Sequence, residues 1–354
     1  MKMDRRDFLG GSLAAGLAVG FGGCAVLSGK RQLRPTHGVI VSAHNLSGSF
    51  DWPRMAHEAG LTTIATHVGP TDVVPFMQSE LGRRFTDACA DYGIAVEHEL
   101  HALEHLLPRD LFAKNPELFR MDEKGNRVGD WNCCATNERA LEIIAENAVR
   151  IARICPSTTG RHFYWLSDGR PVCSCPACRE LSGADQAVLI ENAIVRALRR
   201  EIDPAATLSH LAYLKTLQTP KRVKPDPALF LEFAPFRRWK GTTLRIDLTE
   251  GGEHLTRLDD LLTAFSADTA QVCEYWLDVS LFSGWKKPLV QVPWDAARTR
   301  RDIMTYRKRG IRHFTTFAVY IDEDYVRAFG AGSVDCVREY GRLLAECAER
   351  GDRT

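Results

Sequence analysis

The sequence has almost no charge to spare in either direction: 46 Lys and Arg stand against 45 Asp and Glu in 354 residues, a net charge of +1. A balanced chain lacks the electrostatic footprint of a nucleic-acid or anionic-membrane binder. No internal repeat, low-complexity tract or linker marks off a second domain. No Gly-rich loop follows any strand-like run, which argues against a dinucleotide-binding open sheet. The 11 cysteines are too few for a disulfide-dense miniprotein and too many for an average cytosolic enzyme. What is abundant is apolar material, at 45% of residues. That suffices for a large core and excludes disorder.

The first thirty residues read as an address. Arg5-Arg6-Asp7-Phe8-Leu9 precedes a Gly-rich, mildly apolar run ending at Val26. It resembles a twin-arginine export signal, with Asp4 where Ser or Thr is usual. Gly22-Gly23-Cys24-Ala25 resembles a lipoprotein cleavage box, with Phe21 in place of the usual aliphatic residue. Cys24 is then the lipidated residue, and simple cleavage is the alternative. Residues 1–30 are expected to be leader and 36–350 the folded body, periplasmic or lipid-anchored at the envelope. The only membrane contact expected is a lipid anchor at Cys24. Without residues 1–23 the net charge is zero. Twin-arginine export typically carries folded proteins, so a metal can be loaded first.

In the body, short apolar runs rich in β-formers alternate with segments of 3.6-residue periodicity. Strands are predicted at 38–43, 62–67, 94–100, 162–166, 207–214, 229–233, 271–277 and 312–320. The clearest helices are predicted at 138–155, 185–202, 255–265, 296–308 and 334–350. Eight strand–helix alternations in about 320 residues match a single (β/α)8 TIM barrel. A doubly wound open sheet is the runner-up.

Barrel chemistry sits at the C-terminal ends of the strands. Those ends supply His44, His67, Asp168 and Asp278. Alternation along strand three puts Glu97, Glu99 and His101 on one face, at a cost in burial unless they pair or meet a polar ligand. An ion-pair layer with neighbouring strands is the structural alternative. Strand six offers a lone Glu232, and in strand seven alternation gives Glu274, Trp276 and Asp278 a common face. With Trp165, Tyr213 and Trp285 nearby, these residues suit a sugar site, where carboxylates act as acid, base or nucleophile and aromatic faces stack on the ring. A metal-dependent hydrolase using His44, His67, Glu99 and His101 is a less favoured reading.

Cys173-x-Cys175-x-x-Cys178 follows strand four, and Cys133-Cys134 lies in the long loop after strand three. Adjacent barrel loops meet, so one of that pair could complete a four-thiolate structural zinc site. Two disulfides are the competing reading in an oxidising compartment. The remaining cysteines lie on helix and strand patterns and are expected in the core.

An ordered series of pieces carries a further resemblance: Leu106-Leu107-Pro108, Asn115-Pro116-Glu117-Leu118-Phe119, Gly125-Asn126-Arg127, Cys134-Ala135-Thr136-Asn137 and Ser167-Asp168-Gly169, followed by the cysteine triplet. It resembles a bacterial domain-of-unknown-function family that looks like the barrel of α-glucuronidase-type glycoside hydrolases. The resemblance implies an exported barrel acting on a carbohydrate, with no cofactor required for catalysis and zinc confined to a structural role. It favours Cys134 over Cys133 as fourth ligand. It implies an acid after strand four, Asp168, and a nucleophile or base on strand seven, Glu274. Glu97, Glu99 and Glu232 are alternative acids, since the usual Asn-Glu pair of strand four is missing. A non-catalytic exported glycan-binding lipoprotein is the alternative to a hydrolase.

Overall fold

The computed structural model describes residues 35–240 and 244–351. The twin arginine and Cys24 lie outside them. Eight parallel strands close into a barrel: β1 (His37–Ser42), β2 (Thr63–His67), β3 (Ala95–His101), β4 (Arg161–Trp165), β5 (Thr207–Ala212), β6 (Leu229–Phe233), β7 (Gln271–Glu274) and β8 (His313–Phe317). Each pairs with its sequence neighbours, and β1 closes the ring against β8 with Gly38 opposite Thr315. Every predicted strand is present. Three end two or more residues early, β5 at Ala212, β7 at Glu274 and β8 at Phe317.

Alternation divides the core into two. Ile40, Ala65, Phe163, Phe230 and Cys273 pack inside the barrel. Val39, Ile64, Leu208 and Val272 pack outward against the helices. The main helices are α1 (Trp52–Glu58), α2 (Glu80–Asp91), α3 (Glu138–Ile154), α4 (Gly183–Glu201), α5 (Glu253–Leu261), α6 (Ala296–Arg307) and α7 (Asp335–Gly351). The Asn137 side chain accepts from the Ala140 amide at the start of α3. Ser182 and Asp185 form a capping box on α4.

The fifth of the eight expected alternations has no helix. Only a single 3-10 turn, Leu214–Thr216, stands between β5 and β6. Pro220, Pro225 and Pro227 deny that segment the amide donors and backbone freedom of a helix. It is pinned from α4 instead: Asp185 Oδ1 accepts from the amides of Lys221, Arg222 and Val223 at 2.9, 2.8 and 3.0 Å. Among the described residues no helix is long and apolar enough to cross a membrane.

Candidate active-site cleft

The C-terminal mouth of the barrel opens into a cleft of about 780 Å³. Its lining includes His44, His67, His101, Trp165, Asp168, Tyr213, Asp278 and Trp285, so eight of the residues selected from the sequence converge there. Trp165, Cys273 and Phe317 belong to the inner barrel core and close its deep end. Trp285 is the exposed aromatic of the rim, with 61% of its surface open. Reading the sequence missed Trp131, Tyr275, His105 and the carboxylates Asp72 and Glu104, which also line the cleft. Trp131 lies in a loop without periodicity, where only its position between the matched sequence pieces could have drawn notice.

The two histidines at the ends of β2 and β3 are held in one tautomer. His67 Nδ1 donates to the Glu99 carbonyl at 2.6 Å and His101 Nδ1 to the Leu166 carbonyl at 2.8 Å, since a carbonyl can only accept. Burial, with His101 beside it, pushes His67 down to about 3. Burial also lowers His101, although Asp168 pulls it upward. Both rings are therefore neutral near pH 7, with Nε2 as a lone-pair acceptor. His44, His67, Glu99 and His101 do not assemble as a metal set: among the described residues no histidine joins a cluster of three or more ligand atoms.

Asp278 follows β7 and caps the short helix Val279–Phe282. Its Oδ1 accepts from Ser280 Oγ at 2.5 Å and from the Leu281 amide at 3.2 Å. Burial raises its pKa to about 6 against the pull of these hydrogen bonds. Asp168, after β4, is exposed at the rim, where its carboxylate meets the Tyr213 hydroxyl and acts on His101. The cleft thus holds a buried carboxyl that keeps its proton into mildly acidic solution and an open one on a different strand.

The other carboxylates proposed as catalytic are not in the cleft. Glu97, Glu99 and Glu232 do point into the barrel, as alternation required, but they lie below the cleft and are fully buried. Trp165 Nε1 donates to Glu232 Oε2 at 2.9 Å, and Gln271 Nε2 bridges Glu99 and Glu232 at 3.2 and 3.1 Å. Thr159 donates to Glu97 at 2.6 Å. Buried Arg161 supplies the positive charge and stacks on Phe230 at 4.2 Å. These groups form a buried charged layer inside the barrel, with Arg161 acting on the three carboxylates through space.

One guanidinium cannot balance three buried carboxylates. Burial raises Glu97, raises Glu99 well above its ordinary value with help from Glu232, and raises Glu232 to about 7. A carboxyl with a raised folded pKa keeps a proton that the unfolded chain releases, so stability falls with rising pH. For Glu232 the window runs from about 4.5 to about 7, with a slope of up to about 1.4 kcal/mol per pH unit for one proton. Urea unfolding across that window should show the decline, and Glu232→Gln should flatten it. An unchanged slope in the variant would assign the proton elsewhere.

Glu274 and Trp276 require a correction. Cys273 and Tyr275 line the cleft, so their neighbours face the helices. Glu274 is fully buried, ion-paired with Arg238, and accepts from Tyr306 Oη at 2.7 Å and Trp239 Nε1 at 3.1 Å. Trp276 Nε1 donates to Asp302 on α6 at 3.2 Å. Asp278 reaches the cleft only because the chain leaves the strand and turns after Glu274.

A family model described as a domain of unknown function, DUF4838, matches residues 73–271, more than half of the chain. The chain belongs to the DUF4838 family. The span shared with DUF4838 contains Asp168, His101 and the cysteine cluster, whereas Asp278 and β8 lie beyond it. No curated protein matches the sequence significantly. Among solved structures, a β-galactosidase from Rahnella sp. R3 is 11% identical with a TM-score of 0.51, covering 90% of this chain and 57% of that one. A catalytic mutant of Gan42B, a GH42 β-galactosidase from G. stearothermophilus, is 10% identical with a TM-score of 0.50, covering 85% and 54%. The DUF4838 chain thus shares its barrel with glycoside hydrolases, and spans about half the length of these two. At this identity the likeness is one of fold.

Proposed function

We propose that this DUF4838 barrel is a glycoside hydrolase acting on an oligosaccharide or polysaccharide, with Asp278 as general acid and Asp168 as base or nucleophile. The observation that carries the reading is the cleft itself, where two carboxyls of unlike environment stand after β4 and β7 among Trp131, Trp165, Tyr213 and Trp285. Burial that raises the Asp278 carboxyl suits it to the acid role. Flat aromatic side chains offer the stacking surface a sugar ring needs. The assignment keeps the strand-four residue expected from the sequence, exchanges its role, and replaces Glu274 by Asp278. The α-glucuronidase-type resemblance, the twin-arginine leader and the Cys24 box support action outside the cytoplasm, by a periplasmic or envelope-anchored protein.

The test is hydrolysis of a panel of nitrophenyl glycosides, including uronides, and of plant and bacterial polysaccharides by the chain lacking residues 1–23. Release of sugar that is lost in Asp168→Asn supports the reading. Glu274, locked by Arg238 and withdrawn from the cleft, favours a second one, a glycan-binding protein without turnover. Tight binding of a panel member without cleavage would select it.

A further inference from the structure

We infer that Cys134, Cys173, Cys175 and Cys178 bind one zinc ion, and that this ion clamps together the β3 and β4 loops forming one wall of the cleft. All four side chains are buried, and their Sγ atoms lie within 4.8 Å of one another. Cys134 Sγ stands 3.7 Å from Cys175 Sγ and 3.9 Å from Cys178 Sγ. A tetrahedron of Zn–S bonds of about 2.3 Å puts its sulfurs about 3.8 Å apart, whereas a disulfide draws two sulfurs to about 2.05 Å in separate pairs. One sulfur that is nearly equidistant from two others suits four ligands around a centre. Cys133 is also buried but stands outside the group, so Cys134 completes the set.

The surroundings suit thiolates. Four of them around a divalent ion carry a net charge of −2, and donors point at the sulfurs. The Met121 amide donates to Cys173 Sγ at 3.3 Å, Arg127 Nη1 approaches it at 3.9 Å, and Thr136 Oγ1 lies 3.3 Å from Cys178 Sγ. Gln186 on α4 fixes the triplet by accepting from the Cys173 amide and donating to the Cys173 and Cys178 carbonyls. Such outer contacts orient metal ligands.

Cys134 ends the long β3 loop, and the other three ligands belong to the β4 loop. The cleft side of the same two loops carries Trp131, Asp168 and Arg170. Arg170 stacks on Trp131 at 3.8 Å, and Asn132 Nδ2 donates to the Pro171 carbonyl at 2.8 Å. None of the four cysteines lines the cleft, so the ion acts by holding Asp168 in place.

Metal analysis of the chain produced without a metal-binding tag should give about one zinc per chain. A mercurial should release it to a chromogenic chelator. Cys175→Ser and Cys178→Ser should lose it, and Cys133→Ser should retain it. Absence of stoichiometric zinc, a mass showing two disulfides among the four, or zinc retained in Cys175→Ser would overturn the site. Should the variants not fold, mercurial release from the unaltered chain still decides. Stripping the ion should remove hydrogen-exchange protection from residues 119–136 and 167–181 and leave the barrel strands protected. Unchanged protection would overturn the clamp. None of these measurements needs a sugar substrate, so the zinc site and the hydrolase reading stand or fall separately.

Discussion

Replacing Arg238 by Met should lower the unfolding free energy by about 3–5 kcal/mol, the usual cost of breaking a buried ion pair from one side. Arg238 is fully buried on the 3-10 turn after β6. Its Nη1 pairs with Glu274 on β7 and its Nη2 with Asp302 on α6 at 2.9 Å, and its Nε donates to the Ile246 carbonyl at 3.0 Å. One side chain thus joins the loop after β6, the seventh strand and the helix behind it. Methionine fills much of the volume but takes the guanidinium away from two buried carboxylates, and the hydrogen bonds from Tyr306 and Trp239 to Glu274 carry no compensating charge. The loss should shrink in Arg238→Met/Glu274→Gln, which also removes the carboxylate that faces the guanidinium in the parent. Urea unfolding of the single and double variants measures both effects. Equal stability of Arg238→Met and the parent at neutral pH would mean that the triad contributes nothing.

The same triad explains why Glu274 could not be placed from the sequence. Strand β7 is buried on both faces, with Val272, Cys273 and Glu274 all fully covered. Hydrophobicity therefore gives no alternation from which to read which side meets the barrel axis. Its end at Glu274 is equally silent, because Tyr275, Trp276 and Leu277 continue in strand-forming residue types. On β3 the period of two that gives Glu97, Glu99 and His101 a common face was legible, although His98 puts an ionisable residue on the other face as well. What it could not tell was depth: Glu97 and Glu99 share a face with His101, but only His101 reaches the cleft. The barrel was legible because short runs of β-forming residues recur along the chain between segments of helical periodicity. The missing helix before β6 has a trace in the sequence, since Pro220, Pro225 and Pro227 crowd that segment. Trp131 belongs to a loop held by Arg109, by the Arg120–Asp130 ion pair and by the cysteine cluster, where no periodicity exists to be read.

On a substrate found by the glycoside panel, Asp278→Asn should lower kcat by about 10²–10⁴, the contribution of a positioned general acid. The fold should survive, because the Asn side-chain oxygen can still accept from the Leu281 amide and cap the short helix. The native rate should fall as pH rises through about 6, the region to which burial raises Asp278, since an acid catalyst works only while protonated. In Asp278→Asn that limb should disappear along with most of the activity. Glu274→Gln is the control, because its carboxyl is turned toward Arg238 and α6. It should alter stability while keeping the pH limb and a rate within a few-fold of the parent. A collapse of activity in Glu274→Gln at preserved stability, with Asp278→Asn still active, would return the catalytic role to β7 and displace Asp278. The contrast is sharp because the two residues are four apart in sequence yet lie on opposite sides of the barrel wall. Loss of a proton donor changes the shape of the pH profile, whereas loss of a structural partner changes only the amount of folded protein.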